Sequence, residues 1–420
     1  MRKVLSLPQL IFYGVGMIVG SGIYSVIGKA AGVAGETVWL SLLIGGITAA
    51  LTALSYAELS SMFPQAGAEY IYLKNIFPTL PRLSFLCGSL MVFSGAATAA
   101  TVAVAFSGYM LQFFAVPVLL TACVVLILFT ALNIWGLKES SWANVVFTLV
   151  ELAGLVLFVA VAWRSEDFGK SLQHVEISSQ TISGAALVIF AYFGFETIVN
   201  FTEETENAEK RVPRAVLISL VTAAGLYFLV GLAALALLSP QELFQSQAPL
   251  SDALRERSEG MAKVLGGIAM FSTANTVLIS MLSTSRIVYS MAREEDLPPL
   301  LSRLRKKRQT PWTAALFVLV FALILLPAGG VEVLASVSSL ATMIAFTLIN
   351  LSVIHLRYVE PHMPRPFRIP GHIGRFPILP ALAVLTNVAL LFYFEMKVYL
   401  LALGFAVIAV LYYVLRKRRR

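Results

Sequence analysis

Residues 14–24 read GVGMIVGSGIY, with glycines at 14, 16, 20 and 22 inside an apolar run from about residue 9 to 29. A glycine in a soluble helix interior costs about 1 kcal/mol against alanine, so four crowded together need a reason. One reason is close packing, because Gly16 and Gly20 have the GxxxG spacing that lets membrane helices approach. The other is a helix broken at Ser21-Gly22. A break there would expose amides at the start of one half-helix and carbonyls at the end of the other, with opposite partial charges. Such ends suit the carboxylate and the ammonium of a zwitterion at mid-depth in a membrane. Nucleotide loops are excluded by counting. A dinucleotide fingerprint needs glycine at 25, where Ser25 stands; five residues, not four, separate Gly22 from Gly28-Lys29.

The rest of the chain says that this run is a membrane span. Of 420 residues 58% are apolar, about 244 positions, and only 13% are charged, against roughly 25% in soluble domains. A bilayer core is crossed by about 20 helical residues, so twelve crossings would absorb nearly all of that apolar supply. The remainder is too short to build a soluble domain with its own core. The expectation is an all-α integral membrane protein, one transport domain over 1–420. Its apolar runs fall near 9–29, 38–62, 83–113, 116–136, 143–163 and 181–201, then 214–238, 262–292, 312–328, 332–356, 376–395 and 397–415.

Twelve spans put both termini on one side. If that side is cytoplasmic, 23 of the 31 lysines and arginines lie inside, Lys29, Arg164, Lys170, Arg255, Arg257, Lys263 and Lys397 lie outside, and Arg286 is left within a span. The positive-inside rule therefore predicts cytoplasmic termini in a multi-pass cell membrane protein. The basic excess is spread over many loops, which argues against nucleic acid binding. Arg303 to Arg308 and Arg416 to Arg420 read as anchors beside anionic headgroups. Arg2 and Lys3 before an apolar stretch, with Ala30-Ala31-Gly32 beyond it, imitate a signal peptide. The run is too long and glycine-rich for one and reads as the first membrane helix. Cys87 and Cys123 sit in apolar runs and offer neither a disulfide framework nor a cysteine-rich metal site. No cofactor is expected.

The sixth run contains FAYFGFE at 190–196, where Gly194 among aromatic residues suggests a second break. Phe190, Tyr192, Phe193 and Phe195 would then cover a ligand as a lid, or face lipid and core. Glu196, just after the break, accepts a proton, meets a cationic side chain, or caps the following half-helix. Glu151 lies about nine residues into the fifth run, in FTLVELAGLVLFV, too deep to reach an interface. An ionised carboxylate there costs at least about 2.5 kcal/mol, so a protonated form or a neighbouring cation is required. The hydroxyls of Ser280, Ser283 and Thr284 are possible neighbours, or simply packing residues. Glu58, toward the cytoplasmic end of the second run, reads as a gate or interface residue, and His355 as interfacial. The small stretch SGAATAAT at Ser94 to Thr101 would let span three approach the broken helices.

These residues resemble the amino acid-polyamine-organocation superfamily. The resemblance is carried by GVGMIVGSGIY, YAELSSMFPQAGAEYIYL at Tyr56 to Leu73, and ALNIWGLKES at Ala131 to Ser140. It continues in YFGFETIVNFTEETENAEKRVPRAV at Tyr192 to Val216 and STSRIVYSMAREEDLP at Ser283 to Pro298. It implies a five-plus-five inverted repeat, helices 1–5 over about 9–163 and 6–10 over about 181–356, with helices 11–12 over about 376–415. Helices 1 and 6 would be discontinuous, and amino acids would move by alternating access. Carried across, the substrate carboxylate would meet the backbone at Ser21, Gly22 and Ile23. The ammonium would meet carbonyls near Met17, Ile18, Phe190 and Ala191, with Phe193 and Gly194 completing the site.

Asn207-Ala208 stands where the family usually has Asn-Pro, which loosens one helix end. Proton-coupled relatives carry a lysine in the fifth helix where sodium-coupled relatives hold sodium, and here that position is Glu151. It would bind a cation, shuttle a proton or hold helices together, with Ser280, Ser283, Thr284 and Glu196 as further coupling residues. Some relatives join a glycoprotein through a cysteine between spans three and four. Gln112 to Pro117 has none, so no disulfide-linked subunit is expected, and the chain should be a monomer or weak homodimer.

The leading expectation is a secondary carrier for neutral amino acids, proton-coupled or exchanging. The alternatives are a cationic amino acid or polyamine carrier and a non-transporting amino acid sensor. An enzyme is disfavoured because no metal-ligand cluster or nucleophile-base pair is evident.

Overall fold

The structure is a computed structural model. It describes residues 3–111, 114–173, 175–246, 248–255, 257–328 and 331–418, except the side chains at 21, 25, 328, 331 and 332. His174 and the first two positions of the expected external loop, 112 and 113, lie outside the described residues. The described chain is helical almost throughout. The first half comprises α1 (Leu7–Ala34), α2 (Val38–Met62), α3 (Ala68–Ile76), α4 (Pro81–Met110), α5 (Val118–Trp135) and α6 (Leu137–Ala162). After it come α7 (Ser179–Val188), with its 3-10 continuation, and α8 (Ala208–Leu237), α9 (Pro240–Gln245), α10 (Pro249–Arg255) and α11 (Glu259–Arg293). The last helices are α12 (Trp312–Ala328), α13 (Val331–Val359), α14 (Ile378–Leu391) and α15 (Met396–Arg418). A two-residue hairpin, His372–Ile373 against Phe376–Pro377, precedes α14.

Each predicted apolar run falls on one of these helices. Ten stretches among the described residues are long and apolar enough to cross a membrane; Trp312–Pro327 and Ile378–Leu391 are apolar but shorter. The short helix α3 was not expected. Its nine residues, rising about 1.5 Å each, cannot cross a bilayer, yet most of its side chains are buried.

Helix α1 runs through the interior. Leu10, Tyr13, Val15, Ile18 and Val19, which point to all sides of its first half, are at most 2% exposed, as in an inner membrane helix. It joins α2, α8 and the α7 segment in one apolar core, while α4, α5 and α12 form the body of a second. Helix α11 contributes to both cores, Leu282 to the first and Met281 to the second. At the start of α1, Gln9 Oε1 accepts from the Ser6 N–H at 2.9 Å, satisfying a donor that the helix leaves open. Glycine at the other end, Gly35, takes φ 59° and donates to the Ala31 carbonyl.

The first and last described segments lie on one face. The Val4 and Leu5 N–H groups donate to the Glu204 carbonyl at 2.9 and 3.0 Å, and Arg416 reaches the carbonyls of Glu295 and Leu297. That face is called the terminal face below. Buried ion pairs stand beside it. Arg286, the basic residue left within a span, holds both oxygens of Glu204, at 2.8 and 3.2 Å, in a bidentate pair. Glu58 is likewise buried, accepting from Arg357 at 2.6 Å and from the Ile369 N–H at 2.7 Å. It thereby ties α2 to α13 and to the linker before α14. His355 packs on Phe77, ring centroids 4.7 Å apart.

Candidate binding site at two broken helices

Helix α1 breaks at Gly20, whose φ of −20° and ψ of −122° are not helical. The break is one residue earlier than the expected Ser21-Gly22. The chain reaches its second break through 3-10 turns: Ile189–Tyr192, then extended Phe193, then Gly194 at φ 131°, then a 3-10 stretch over Phe195–Glu204. Gly194 lies in the region that glycine alone enters readily, and a side chain would also strike Met17 Cγ and the Ile18 nitrogen. Reciprocally, a Cβ on Gly22 would lie 2.9 Å from the Ala191 Cα and 3.0 Å from its carbonyl oxygen. The two breaks therefore touch backbone to backbone. Glycine at 22 and 194 is what permits the approach.

A cavity of about 830 Å³ opens over this contact. Met17, Ile18, Gly22, Phe190, Ala191, Phe193, Gly194 and Glu196 line it, together with Ser280, Ser283 and Thr284 of α11. Tyr109, Lys29 and Glu395 mark its end away from the terminal face. Ile23 is fully buried and its side chain does not line the cavity; the Ser21 side chain lies outside the described residues.

Of the four rings proposed as a lid, only Phe190 and Phe193 reach the cavity. Extended Phe193 and left-handed Gly194 interrupt the 3-10 turns, and across that break Phe190 and Phe193 pack together at 5.3 Å on the cavity side while Tyr192 and Phe195 turn into the core. Tyr192 donates to the Leu42 carbonyl at 2.8 Å, and Phe195 stacks on Phe346 at 5.3 Å. Glu196 both caps and lines: its Oε2 accepts from the Gly194 N–H at 2.7 Å, satisfying the half-helix start, while the residue faces the cavity.

Opposite the breaks, α4 presents Ser94, Gly95, Thr98 and Thr101 to the cavity. Ser94 meets Ser338 and Thr342 of α13 at 2.8 and 2.9 Å. The small stretch thus shapes the cavity wall as well as the packing. Four polar atoms of lining residues have no protein partner among the described residues: Tyr24 OH, Thr101 Oγ1, Asn200 Oδ1 and Ser280 Oγ. Buried polar groups seldom stay unpaired, so these four stand out in the wall of the cavity.

Glu151 does not line the cavity. It is fully buried behind the wall where α6 meets α11, and its Oε1 accepts from Ser272 at 2.5 Å. Its Oε2 has no partner among the described residues. Ser280, Ser283 and Thr284 are therefore not its partners: eight residues of helix place Ser280 about 12 Å along the axis from Ser272. The carboxyl is nonetheless one turn from the cavity lining, since Ser272 accepts through its carbonyl from the hydroxyl of Thr276 at 3.2 Å, and Thr276 faces Gly20.

Two features escaped the sequence. Asn144, Thr148 and Asn275 form a buried amide-hydroxyl cluster beside Gly16, with the Asn144 amide on Asn275 at 3.0 Å and Thr148 on the Phe12 carbonyl at 3.3 Å. The i, i+4, i+7 spacing of Asn144, Thr148 and Glu151 was the available signal for one polar face on α6. Tyr227 of α8 reaches both breaks, its hydroxyl 2.6 Å from the Ile18 carbonyl oxygen and 3.0 Å from that of Ala191. These are two of the carbonyls expected to hold an ammonium.

Comparison with known proteins decides the family. A family model described as amino acid permease matches residues 5–419. The chain belongs to the amino acid permease family. This permease is thus a transporter of the amino acid-polyamine-organocation superfamily. It is 27% identical over 410 residues to a branched-chain amino acid permease of Bacillus subtilis, covering 92% of this chain and 86% of that one. It is 30% identical to cationic amino acid transporter 3, mitochondrial, of Arabidopsis thaliana, covering 89% of this chain and 66% of the relative. Human cationic amino acid transporter 4 is also 30% identical, with 90% of this chain and 63% of that one covered. The permease thus spans most of the bacterial relative and about two thirds of the two eukaryotic ones.

Proposed function

We propose that the permease is a secondary carrier that moves neutral amino acids across a cell membrane by alternating access, proton-coupled or exchanging. The observation that carries this reading is the backbone contact between the two broken helices at the cavity floor. The half-helix that follows Gly20 would face the substrate carboxylate with its amide end, and the carbonyl end before it, with that of Ile189–Tyr192, would face the ammonium. The whole chain is read as one transport domain of twelve crossings, with the terminal face toward the cytoplasm. The cavity then opens outward.

A neutral side chain is favoured because Glu196 is the carboxylate beside the breaks, and one of its oxygens is engaged by the Gly194 N–H. A cationic substrate is the second reading. Glu196 faces the cavity, and two relatives are named as cationic amino acid transporters. The test is binding of the twenty amino acids to purified protein at two pH values, with and without sodium, followed by uptake into proteoliposomes. A compound that lacks only the carboxylate should fail to compete. Competition by amino alcohols would sink the site, binding without flux would favour a sensor, and arginine preference lost in Glu196→Gln would favour the cationic reading.

A further inference from the structure

Glu69, the second residue of α3, is fully buried on the terminal side of the cavity. Its Oε1 accepts from the Tyr56 hydroxyl at 2.9 Å, and its Oε2 has no hydrogen-bond partner among the described residues. Among the described residues the titratable groups around it are Tyr56 from α2, Tyr72 from its own helix, Cys87 from α4 and Glu196 from the broken helix, none of them a cation. Among the described residues, Arg82 of α4 is exposed, and the other cations on neighbouring elements are engaged elsewhere. Arg357 of α13 holds Glu58, Arg293 and Arg286 of α11 hold Glu203 and Glu204, and Lys74 holds Glu294. Tyr70 donates to Asp296 at 2.6 Å, and His355 packs on Phe77.

A column of rings links this carboxyl to the cavity. Phe193 lines the cavity and packs on Phe346 at 5.1 Å; Phe346 packs on Phe195 and on Tyr56, at 5.3 and 5.6 Å. Tyr56 ends the column on Glu69. The loop leading into α3 is braced on the terminal side, where the Ser290 hydroxyl donates to the Ala66 carbonyl at 2.6 Å. Four rings in contact, an aromatic plug, therefore run from the cavity lining to the Glu69 carboxyl.

We propose that Glu69 is a proton-binding site on the terminal side of this aromatic plug, and that it gives its proton to water when the plug opens. The carboxyl O–H bond breaks, the proton passes to water on that side, and the carboxylate left behind is hydrated. This rests on the carrier reading above, in which the plug must open toward the terminal face.

The sign follows from linkage. Burial pushes the Glu69 carboxyl in the closed form up to about 7, whereas a hydrated glutamate titrates near 4.3. The open form therefore releases a proton that the closed form retains, and opening is favoured by rising pH between about 4.5 and about 7. One proton of difference gives up to about tenfold in the open population per pH unit, levelling above about 7.

The test is hydrogen-deuterium exchange of residues 63–76 in full-length protein in nanodiscs at pH 5, 6, 7 and 8, corrected for the intrinsic exchange rate. Opening of the wild-type segment should rise by up to about tenfold per unit from pH 5 to 7 and level off above that. Glu69→Gln, which keeps the volume and the Tyr56 bond, should flatten the rise to less than about twofold. Tyr56→Phe removes a donor to the carboxylate, so its plateau should move to higher pH. A flat wild-type profile, an unchanged rise in Glu69→Gln, or a plateau that stays fixed in Tyr56→Phe would overturn the proposal. Failure of proteoliposomes to take up any of the twenty amino acids would instead sink the carrier reading and leave these exchange profiles standing on their own.

Discussion

The Tyr227 hydroxyl lies 2.6 Å from the carbonyl oxygen of Ile18, the end of the half-helix that stops at Gly20. The same hydroxyl is 3.0 Å from the Ala191 carbonyl, so a single side chain spans both interrupted helices. A hydroxyl has one proton to donate, while each carbonyl has two lone pairs. Tyr227 therefore fixes the two carbonyls and leaves each able to accept from a second donor, which an ammonium would supply.

Tyr227→Phe keeps the ring against Tyr192 and removes the shared proton. A neutral hydrogen bond contributes about 0.5–1.5 kcal/mol, so substrate affinity should fall by about twofold to tenfold with little change in folding. Titration of substrate binding to the purified variant checks this. Tighter binding would mean that the hydroxyl competes with the ammonium instead of placing its acceptors.

Gly194→Ala tests the second break. Holding alanine at φ 131° costs about 1–3 kcal/mol, and the added carbon also meets Met17 and the Ile18 nitrogen. The expected outcome is a lower melting temperature and at least about tenfold weaker substrate binding, because the backbones of the two breaks can no longer touch. Unchanged affinity would show that the cavity tolerates their separation and that the ligand is held elsewhere.

Glu204 and Arg286 give the largest expected loss of stability. Both are buried and doubly bonded, and removing one partner from such a pair strands the other at about 3–5 kcal/mol. Glu204→Gln should therefore lower the melting temperature in detergent strongly, and Glu204→Leu with Arg286→Met should recover much of the loss. Equal damage in the single and double variants would mean that the pair is not the source of the effect.

The breaks were legible in sequence because glycine is the residue type a broken helix and a close approach both demand, and both signals converge on residues 14–24 and 190–196. The partner of Glu151 was not. Ser272, Thr276, Ser280 and Thr284 repeat every four residues along α11, so periodicity names the polar face but leaves its height against α6 open. Only the packed helices select Ser272. Glu204 and Arg286 were similarly opaque, being 82 positions apart. Which of the four rings reach the cavity was not legible either, because the break at Phe193-Gly194 turns Phe190 and Phe193 toward it and leaves Tyr192 and Phe195 in the core. Tyr227 gave no signal, since a lone tyrosine in an apolar helix looks like core until its acceptors are known.

The final prediction concerns Glu151, placed behind the cavity wall with one oxygen on Ser272 and the other without a partner among the described residues. An ionised carboxylate so deep is costly, so within the closed wall it holds a proton or a cation. If it is the coupling group, it must exchange that proton or cation when the wall between α6, α1 and α11 rearranges, and Thr276 against Gly20 links that wall to the first break. Glu151→Gln imitates a permanently protonated carboxyl at constant volume and still accepts from Ser272. It should bind substrate normally and exchange internal for external substrate, yet lose uphill accumulation driven by a pH gradient across proteoliposomes. Ser272→Ala, which removes the hydroxyl donor and spares the carboxyl, should retain accumulation. Sodium dependence that vanishes in Glu151→Gln would make the carboxyl a sodium ligand. Full pH-driven accumulation by the glutamine variant would leave Glu151 a structural tie between α6 and α11 and move coupling to another group.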